Sequence, residues 1–366
     1  MDFVIFGSRT IITTMLAALI YNPRARDGRI QKKLAKILAE FAEKNITVEM
    51  HETLHAGHAT DLAWNLRGRS DVDIVVAIGG DGTAHEVASG LRGSNMVMGI
   101  IPQGSGDDLA RAMGIPRKDI PAAVDIIKNG ADHSCGAVRV EAPPAVPPAH
   151  MTQYTTPTAH ECNGEAKSDS NIVRWSFMET DCGVTSAVSR AKAEGVFSWV
   201  KGQMKYQFLG VRAIFGWHPQ KAWTRLNDEE RKVIDLQGLF VIQTCETFGS
   251  GFRGSPNMHP KRPFASIISA LGLSKFQMLR VMGPLKEGKH LGYFDGKITR
   301  EKCQSFSIGA CNVDGTPSES LKHDPLLYVN VDGECCLTTP ATFNFHPDQI
   351  KIRGVATLPN EGSEFA

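Results

Sequence analysis

Two lines of the 366-residue chain carry residue types suited to phosphate chemistry. The first, "VAIGGDGTAHEVASGL" (76–91), runs from an apolar strand through Gly79, Gly80, Asp81 and Gly82 into a helix. Glycines at such a junction let backbone amides approach an oligophosphate closely, and the helix N-terminus adds a favourable dipole. Thr83 can cap that helix and donate to a phosphate oxygen, and the Asp81 carboxylate can reach a phosphate-bound Mg²⁺ directly or through water. Taken alone, the same residues also make a plain tight turn. The second line, "IPQGSGDDLARAMGIP" (101–116), repeats the sequence of strand, glycines, the Ser105 hydroxyl, the acids Asp107 and Asp108, and a helix carrying Arg111. Two adjacent strand ends presenting this chemistry to one crevice favour a phosphate site over turn geometry. Neither line is a GxxxxGK[ST] loop, and no GxGxxG opens a helix after the first strand.

Loops of this kind need a parallel sheet beneath them, and the first third of the chain supplies the pattern. The apolar run 16–22 is followed by "RIQKKLAKILAEFAEKN" (29–45), with Ile30, Leu34, Ile37, Leu38 and Phe41 at helical spacing and lysines on the other face. Strands over 46–53, 73–80 and 95–102 alternate with helices over 56–66 and after each glycine line. Beyond about residue 133 strand-like runs follow one another, "KFQMLRVM" (275–282) among them, with one prominent helical region at 185–217. The fold expected is an α/β nucleotide-binding domain with a parallel sheet (1–132, with 1–15 an extension) and a second, β-rich antiparallel sandwich-like domain (133–353). A Pro-rich, then polar, loop is expected at 142–171, and a tail at 354–366.

Composition bounds the function. Hydrophobic content of 42% and charged content of 22% describe an ordinary globular protein, and the length favours two domains. A formal net charge of +1 gives no reason to expect nucleic acid as a partner. Eight scattered cysteines without a CxxC pair read as reduced thiols of a cytoplasmic protein, and no apolar run is long enough to span a bilayer. His51, His55 and His58 read as strand, turn and surface residues in preference to a metal site. The stretch 199–219 is basic, aromatic and helical, suited to a membrane surface or to packing on a sheet. Arg253 and Arg262 are candidates for a phosphate or headgroup contact.

With "IYNPRARDG" (20–28), "HETLHAGHATDLA" (51–63), "FMETDCGVTSAVSRA" (177–191), "KGQMKYQFLGVRAIF" (201–215) and "LYVNVDGECC" (327–336), the two glycine lines resemble the diacylglycerol kinase catalytic-domain family, which includes bacterial diacylglycerol kinases and sphingosine kinases. The resemblance covers roughly residues 16–353. It implies ATP- and Mg-dependent phosphorylation of a hydroxyl of diacylglycerol or a sphingoid-type lipid at a membrane surface. It also implies a nucleotide bound between two domains, peripheral membrane association, and a homodimer as one form of assembly. Carried over residue by residue, Thr53 and Ser105 contact ATP, and Gly79, Gly80, Asp81, Gly82, Thr83, Ala84 and His85 cradle its phosphates. Asp81 acts in the Mg-ATP site, Asp108 holds that region, and Glu334 is the general base that accepts the proton of the attacking hydroxyl. Phosphoryl transfer is mostly positioning and charge neutralisation, so a glycine cradle, a metal and one base suffice.

The chain also departs from the pattern. Relatives place an Asp-Gly-x-x-Asp that binds a structural Mg²⁺ where this chain reads "ISALGLSKF" (268–276), with Leu271 and Lys275 near the expected acids. That ion is therefore not expected, and a lysine ammonium is the available substitute for its charge. Asp107 stands where the family more often has asparagine, and Mg²⁺ or Arg111 would have to offset it. Two other readings are an NAD kinase-like enzyme, which shares the Gly-Gly-Asp-Gly-Thr turn, and a catalytically silent lipid-binding homologue. The 104–108 line and the late Val-Asp-Gly-Glu favour the lipid kinase over the first. Intact Asp81 and Glu334 favour it over the second.

Overall fold

Short apolar strands and amphipathic helices alternate through the first half of the chain: β1 (Leu16–Tyr21), α1 (Arg29–Glu43), β2 (Thr47–Glu52), α2 (His58–Leu66), β3 (Ile74–Gly79), α3 (Asp81–Leu91), β4 (Val97–Pro102), α4 (Asp108–Ala112), α5 (Ile120–Asn129) and β5 (Ala131–Ala142). The structure is a computed structural model that describes residues 14–23, 29–145, 171–197, 199–200, 203–249, 251–312, 316 and 327–365. Of the loop expected at 142–171, residues 146–170 lie outside this description, as do residues 1–13 of the N-terminal extension. β2, β1, β3 and β4 pair in that order, all parallel. β3 is buried along its whole length, as a strand covered on both faces must be. α1 lays Ile30, Ile37 and Phe41 on this sheet.

The second half runs β6 (Ile172–Ser176), β7 (Glu179–Gly183), α6 (Val184–Ala193), α7 (Gln203–Gly216), β8 (Gln220–Leu226), β9 (Lys232–Leu236), β10 (Leu239–Gln243), β11 (Ala265–Ala270), α8 (Lys275–Glu287), β12 (Ile298–Cys303), β13 (Ser305–Ala310), β14 (Tyr328–Val331), β15 (Glu334–Thr338) and β16 (Ala341–Gly354). The long β16 joins the halves. Lys351 and Ile352 pair in parallel with β4, Ala341 to Asn344 pair antiparallel with β13, and β5 runs antiparallel along β16. The parallel strands thus continue into a ten-stranded mixed sheet. A second, six-stranded antiparallel sheet, ordered β12-β11-β10-β7-β14-β15, packs against its antiparallel part. Between the two lie Val140, Phe240, Ile242, Phe306, Val329 and Phe343, a sandwich core. The outer face of the second sheet is covered by α6, α7 and α8.

Two local expectations change. Residues 275–282 form the start of α8 instead of a strand. Ser274 Oγ accepts from the Gln277 amide, and the Gln277 side chain accepts from Ser274 N, a reciprocal cap that starts a helix. Met278, Met282 and Leu285 sit at helical spacing and line the cavity. Thr83 does not cap α3. The helix begins at Asp81 with the extended Gly80 as its N-cap, and the Thr83 side chain fills the space a Cβ on Gly79 would need.

Candidate active site

Strand ends β3 and β4 bring the two glycine lines into contact. A Cβ on Gly80 would approach Gly104 Cα to 2.9 Å, and one on Gly104 would approach Gly80 Cα to 2.6 Å, so both positions need glycine. Asp81 fastens the loops: Oδ2 accepts from Asp107 N at 2.8 Å and Oδ1 from Asp108 N at 2.7 Å. Burial, then the charges of Asp108 and Asp107, push the Asp81 carboxyl up to about 7, while those two amides pull it back. At Gly82 a Cβ would meet nothing within 4 Å, so the cradle is open there to a phosphate oxygen. The ionised Asp81 carboxylate has about four acceptor positions, two of them used by the amides, which leaves room for a cation or its water. Among the described residues no group of three or more His, Cys, Asp or Glu could hold a metal by itself.

Asp107 takes a left-handed backbone (φ 53°) and accepts from Gly104 N at 2.6 Å and from Arg117 Nε at 3.1 Å. Arg117, which also donates to Ser105 O at 2.6 Å, offsets the extra acid. Arg111 instead donates to Gly106 O at 3.0 Å. Asp108, buried, accepts from Thr247 Oγ1 at 2.7 Å and so ties the loop to the second half of the chain. Lys33 leaves the solvated face expected for it and donates to Gln103 Oε1 at 2.8 Å, carrying a positive charge behind the second loop.

Asp332 and Gly333, with φ of 48° and 91°, form the two-residue turn between β14 and β15, a geometry that favours Asp-Gly. The Asp332 side chain is not solvated. Its Oδ1 accepts from Ser176 Oγ (2.8 Å), Met178 N (3.0 Å) and Glu179 N (2.9 Å), and its Oδ2 from Phe177 N (2.8 Å) and His85 Nδ1 (2.7 Å). Burial alone would raise this carboxyl, but the His85 hydrogen bond and charge and the amides outweigh it and hold it below the ordinary range. The ring thus presents its Nδ1 hydrogen to the carboxylate. Two residues on, the half-buried Glu334 accepts from Arg174 Nη2 at 2.7 Å, and the Arg174 side chain is itself buried.

A cavity of about 670 Å³ joins these parts. Gly80, Asp81, Gly82, Ser105, Asp108 and Glu334 line it, with Gln103, Glu179 and Asp181, which sequence reasoning missed. Thr53, Gly79, Thr83, Ala84 and His85 do not line it. Thr53 is buried with its amide on Tyr21 O, and His85 faces Asp332. Much of the remaining wall is apolar, from Val184, Leu239, Ile268, Met278 and Ile298 between the second sheet and its helices. Arg253 pairs with Glu246, and Arg262 donates to Asn257 O and Ser363 O, so neither lines the cavity. Lys275 donates to Phe215 O at 2.5 Å, joining its charge to the C-terminal end of α7. Sequence gave one hint of Arg174: a charge inside the buried run "IVRWS" demands a partner.

Comparison with known proteins adds the following. Residues 16–140 match the family model for the diacylglycerol kinase catalytic domain, and residues 180–354 match that for the YegS C-terminal NAD kinase beta sandwich-like domain. The chain is 40% identical over 116 residues to a diacylglycerol kinase of Bacillus subtilis (strain 168), a match spanning 31% of this chain and 38% of that protein. It is 25% identical over 295 residues to a diacylglycerol kinase of Mycobacterium tuberculosis (strain CDC 1551 / Oshkosh), spanning 80% and 85% of the two chains. A crystal structure from Bacillus anthracis str. Sterne shares the fold, with a TM-score of 0.68 at 18% identity over 97% of this chain and 100% of that one.

Proposed function

The chain belongs to the diacylglycerol kinase catalytic-domain family, and from that premise we propose that it is a lipid kinase, transferring the γ-phosphoryl group of ATP to a lipid hydroxyl with Glu334 as general base. The observation that carries this reading is the single cavity whose walls include the glycine loops, Glu334 and a broad apolar layer. The amides of the 79–82 turn and the N-terminus of α3 suit the phosphates, with Ser105 and Lys33 nearby. A divalent ion carried by ATP, with Asp81 as its protein contact, supplies charge neutralisation on the phosphates when bound. The acceptor oxygen attacks the γ-phosphorus as its proton passes to the Glu334 carboxylate. The bond from the γ-phosphorus to the bridging oxygen breaks, and ADP leaves with that electron pair. Arg174 orients Glu334 for this step.

The apolar wall suits an acyl chain and gives a soluble dinucleotide little to bind, which favours the lipid over NAD. Among the described residues no helix is long and apolar enough to cross a membrane. The lipid is instead reached from the cytoplasmic surface of one. α7 turns Ile214 inward to the cavity and exposes Met204, Phe208, Val211 and Phe215 along its outer face, with no acidic residue in the helix. The test is transfer from radiolabelled ATP in mixed micelles holding diacylglycerol, sphingosine, ceramide and monoacylglycerol, with NAD present as a soluble acceptor. Label in a lipid is expected. Label in NAD alone overturns the reading, and ATP binding without transfer to any acceptor favours the silent homologue.

A further inference from the structure

His85 stands in the first glycine line but takes no part in the cradle. Its side chain is buried and does not line the cavity, and Nδ1 lies 2.7 Å from Asp332 Oδ2 in the second half of the chain. The helix that carries it is firmly seated. Val87, Ala88 and Leu91 are buried among the residues of the first core, and Gly90 lies so close to α2 that a Cβ there would strike Thr60 O. His85 follows Asp81, the first residue of α3, by four positions, about 6 Å along the helix axis. One turn of helix thus meets the phosphate site with its end and the base turn with a side chain.

The receiving side is equally well held. Asp332 Oδ2 also accepts from Phe177 N at 2.8 Å, and the Phe177 ring meets the imidazole edge to face at 6.0 Å between centroids, which orients it. Oδ1 of Asp332 holds Ser176, Met178 and Glu179, while Thr244 Oγ1 donates to Phe177 O at 2.6 Å. The turn, residues 176–179 and the start of the loop after β10 therefore form one block. Glu334 stands on that block, two residues beyond Asp332 and paired with Arg174. A second crossing joins the block to the other glycine line, where Thr247 Oγ1 donates to Asp108 Oδ1 at 2.7 Å.

We infer that His85 is a positioning residue for phosphoryl transfer, one that sets the distance between the phosphates held at α3 and the Glu334 carboxylate. The inference rests on the lipid-kinase reading and adds to it a residue outside the cavity wall. ATP is held by the first half of the chain and the base by the second, so their alignment depends on the contacts that cross. Productive geometry must be kept within about 0.5 Å, and a displacement of about 1 Å can cost about 100-fold in rate. Two crossings fix an orientation that a single one leaves free to pivot. Without the His85–Asp332 bond, the Asp108–Thr247 bond and β16 still join the halves, so both substrates bind while the base drifts out of line. Imidazole suits the task because its ring nitrogen donates to an ionised carboxylate from a side chain with two rotatable bonds.

Two variants of the full chain separate donation from packing. His85→Phe keeps the ring and loses the donor. His85→Asn loses the ring but can place its amide nitrogen where Nδ1 was, the same number of bonds from the backbone. Transfer from radiolabelled ATP is measured in mixed micelles holding a 1,2-diacylglycerol and a long-chain 2-amino-1-alcohol, with NAD present and melting temperatures recorded. For whichever lipid wild type labels, His85→Phe should lower kcat at least about 10-fold while KM for ATP and for the lipid stay within about twofold. His85→Asn should keep kcat within about threefold of wild type, even where its melting temperature is the lower of the two. Wild-type kcat in His85→Phe overturns the inference and leaves the kinase reading standing. Equal losses of kcat in both variants would make the role structural and also overturn it, as would a raised KM for ATP with kcat unchanged. Wild-type label in NAD alone removes both the inference and the reading beneath it.

Discussion

Asp332 and Glu179 lie at the same end of the same antiparallel sheet, joined by a backbone hydrogen bond, and both are buried. Asp332 has five donors and its carboxyl is held below the ordinary range. Glu179 accepts one hydrogen of the Asn330 amide, whose other goes to Asp181, and is raised well above that range, chiefly by burial. Burial pushes both carboxyls up, and the supply of donors decides whether that push is outweighed. Asp332 is finished within the protein and serves as a post for the turn that carries Glu334. Glu179 is unfinished: its Oε2 has no hydrogen-bond partner among the described residues.

The contrast breaks most severely at Asp332. Asp332→Asn turns an NH₂ group toward amides that also donate, and should cost about 3–5 kcal/mol of stability, read by urea unfolding. A cost under about 1 kcal/mol would show that the five donors do not hold the turn. Asp81→Asn makes the same error at a smaller post, where one of two amides loses its acceptor. ATP binding should weaken about 10- to 100-fold by calorimetry with the fold retained, since a charged hydrogen bond contributes about 1.5–3 kcal/mol. His85→Phe removes one of five donors and should cost about 1–3 kcal/mol.

The smallest effect sharpens the comparison through pH. Because Glu179 and Asp181 are raised in the fold, the folded state holds more protons than the unfolded one above the ordinary carboxylate range. Their contribution therefore falls as pH rises from about 4 through about 6 and beyond. Glu179→Gln lacks part of that slope. Its melting temperature should exceed that of wild type by a few degrees at pH 8 and approach it at pH 5. Asp332 works in the opposite sense: its depressed carboxyl contributes stability above the ordinary range, and this is lost only in strong acid. Parallel melting curves at pH 5 and 8 would mean that the Glu179 pair is ionised throughout.

How much of this was legible in the sequence depends on where the partners lie. The glycine lines could be read because strand, turn and helix start fall within sixteen residues, and the Gly80–Gly104 contact follows from two adjacent strand ends. The strand pattern gave both sheets, but not that β16 would carry the first into the second, because pairing partners are not written locally. α8 was misread because a short apolar-rich run fits strand or helix alike, and the Ser274–Gln277 cap was the signal to use. Asp107 could be flagged as an excess charge, yet its partner Arg117 stands ten residues beyond. Glu179 and Asp181 looked like ordinary strand acids because Asn330 lies about 150 positions away and the cavity has no sequence signature.

Turnover of Glu334→Gln, measured against wild type in one preparation of lipid micelles, bears most directly on a lipid hydroxyl losing its proton at this cavity. ATP and lipid binding are measured alongside, with thermal melting to confirm an unchanged fold. Loss of a general base should lower kcat about 100-fold or more while both affinities and the melting temperature hold. Turnover equal to wild type, with lipid phosphorylated, would contradict Glu334 as the base.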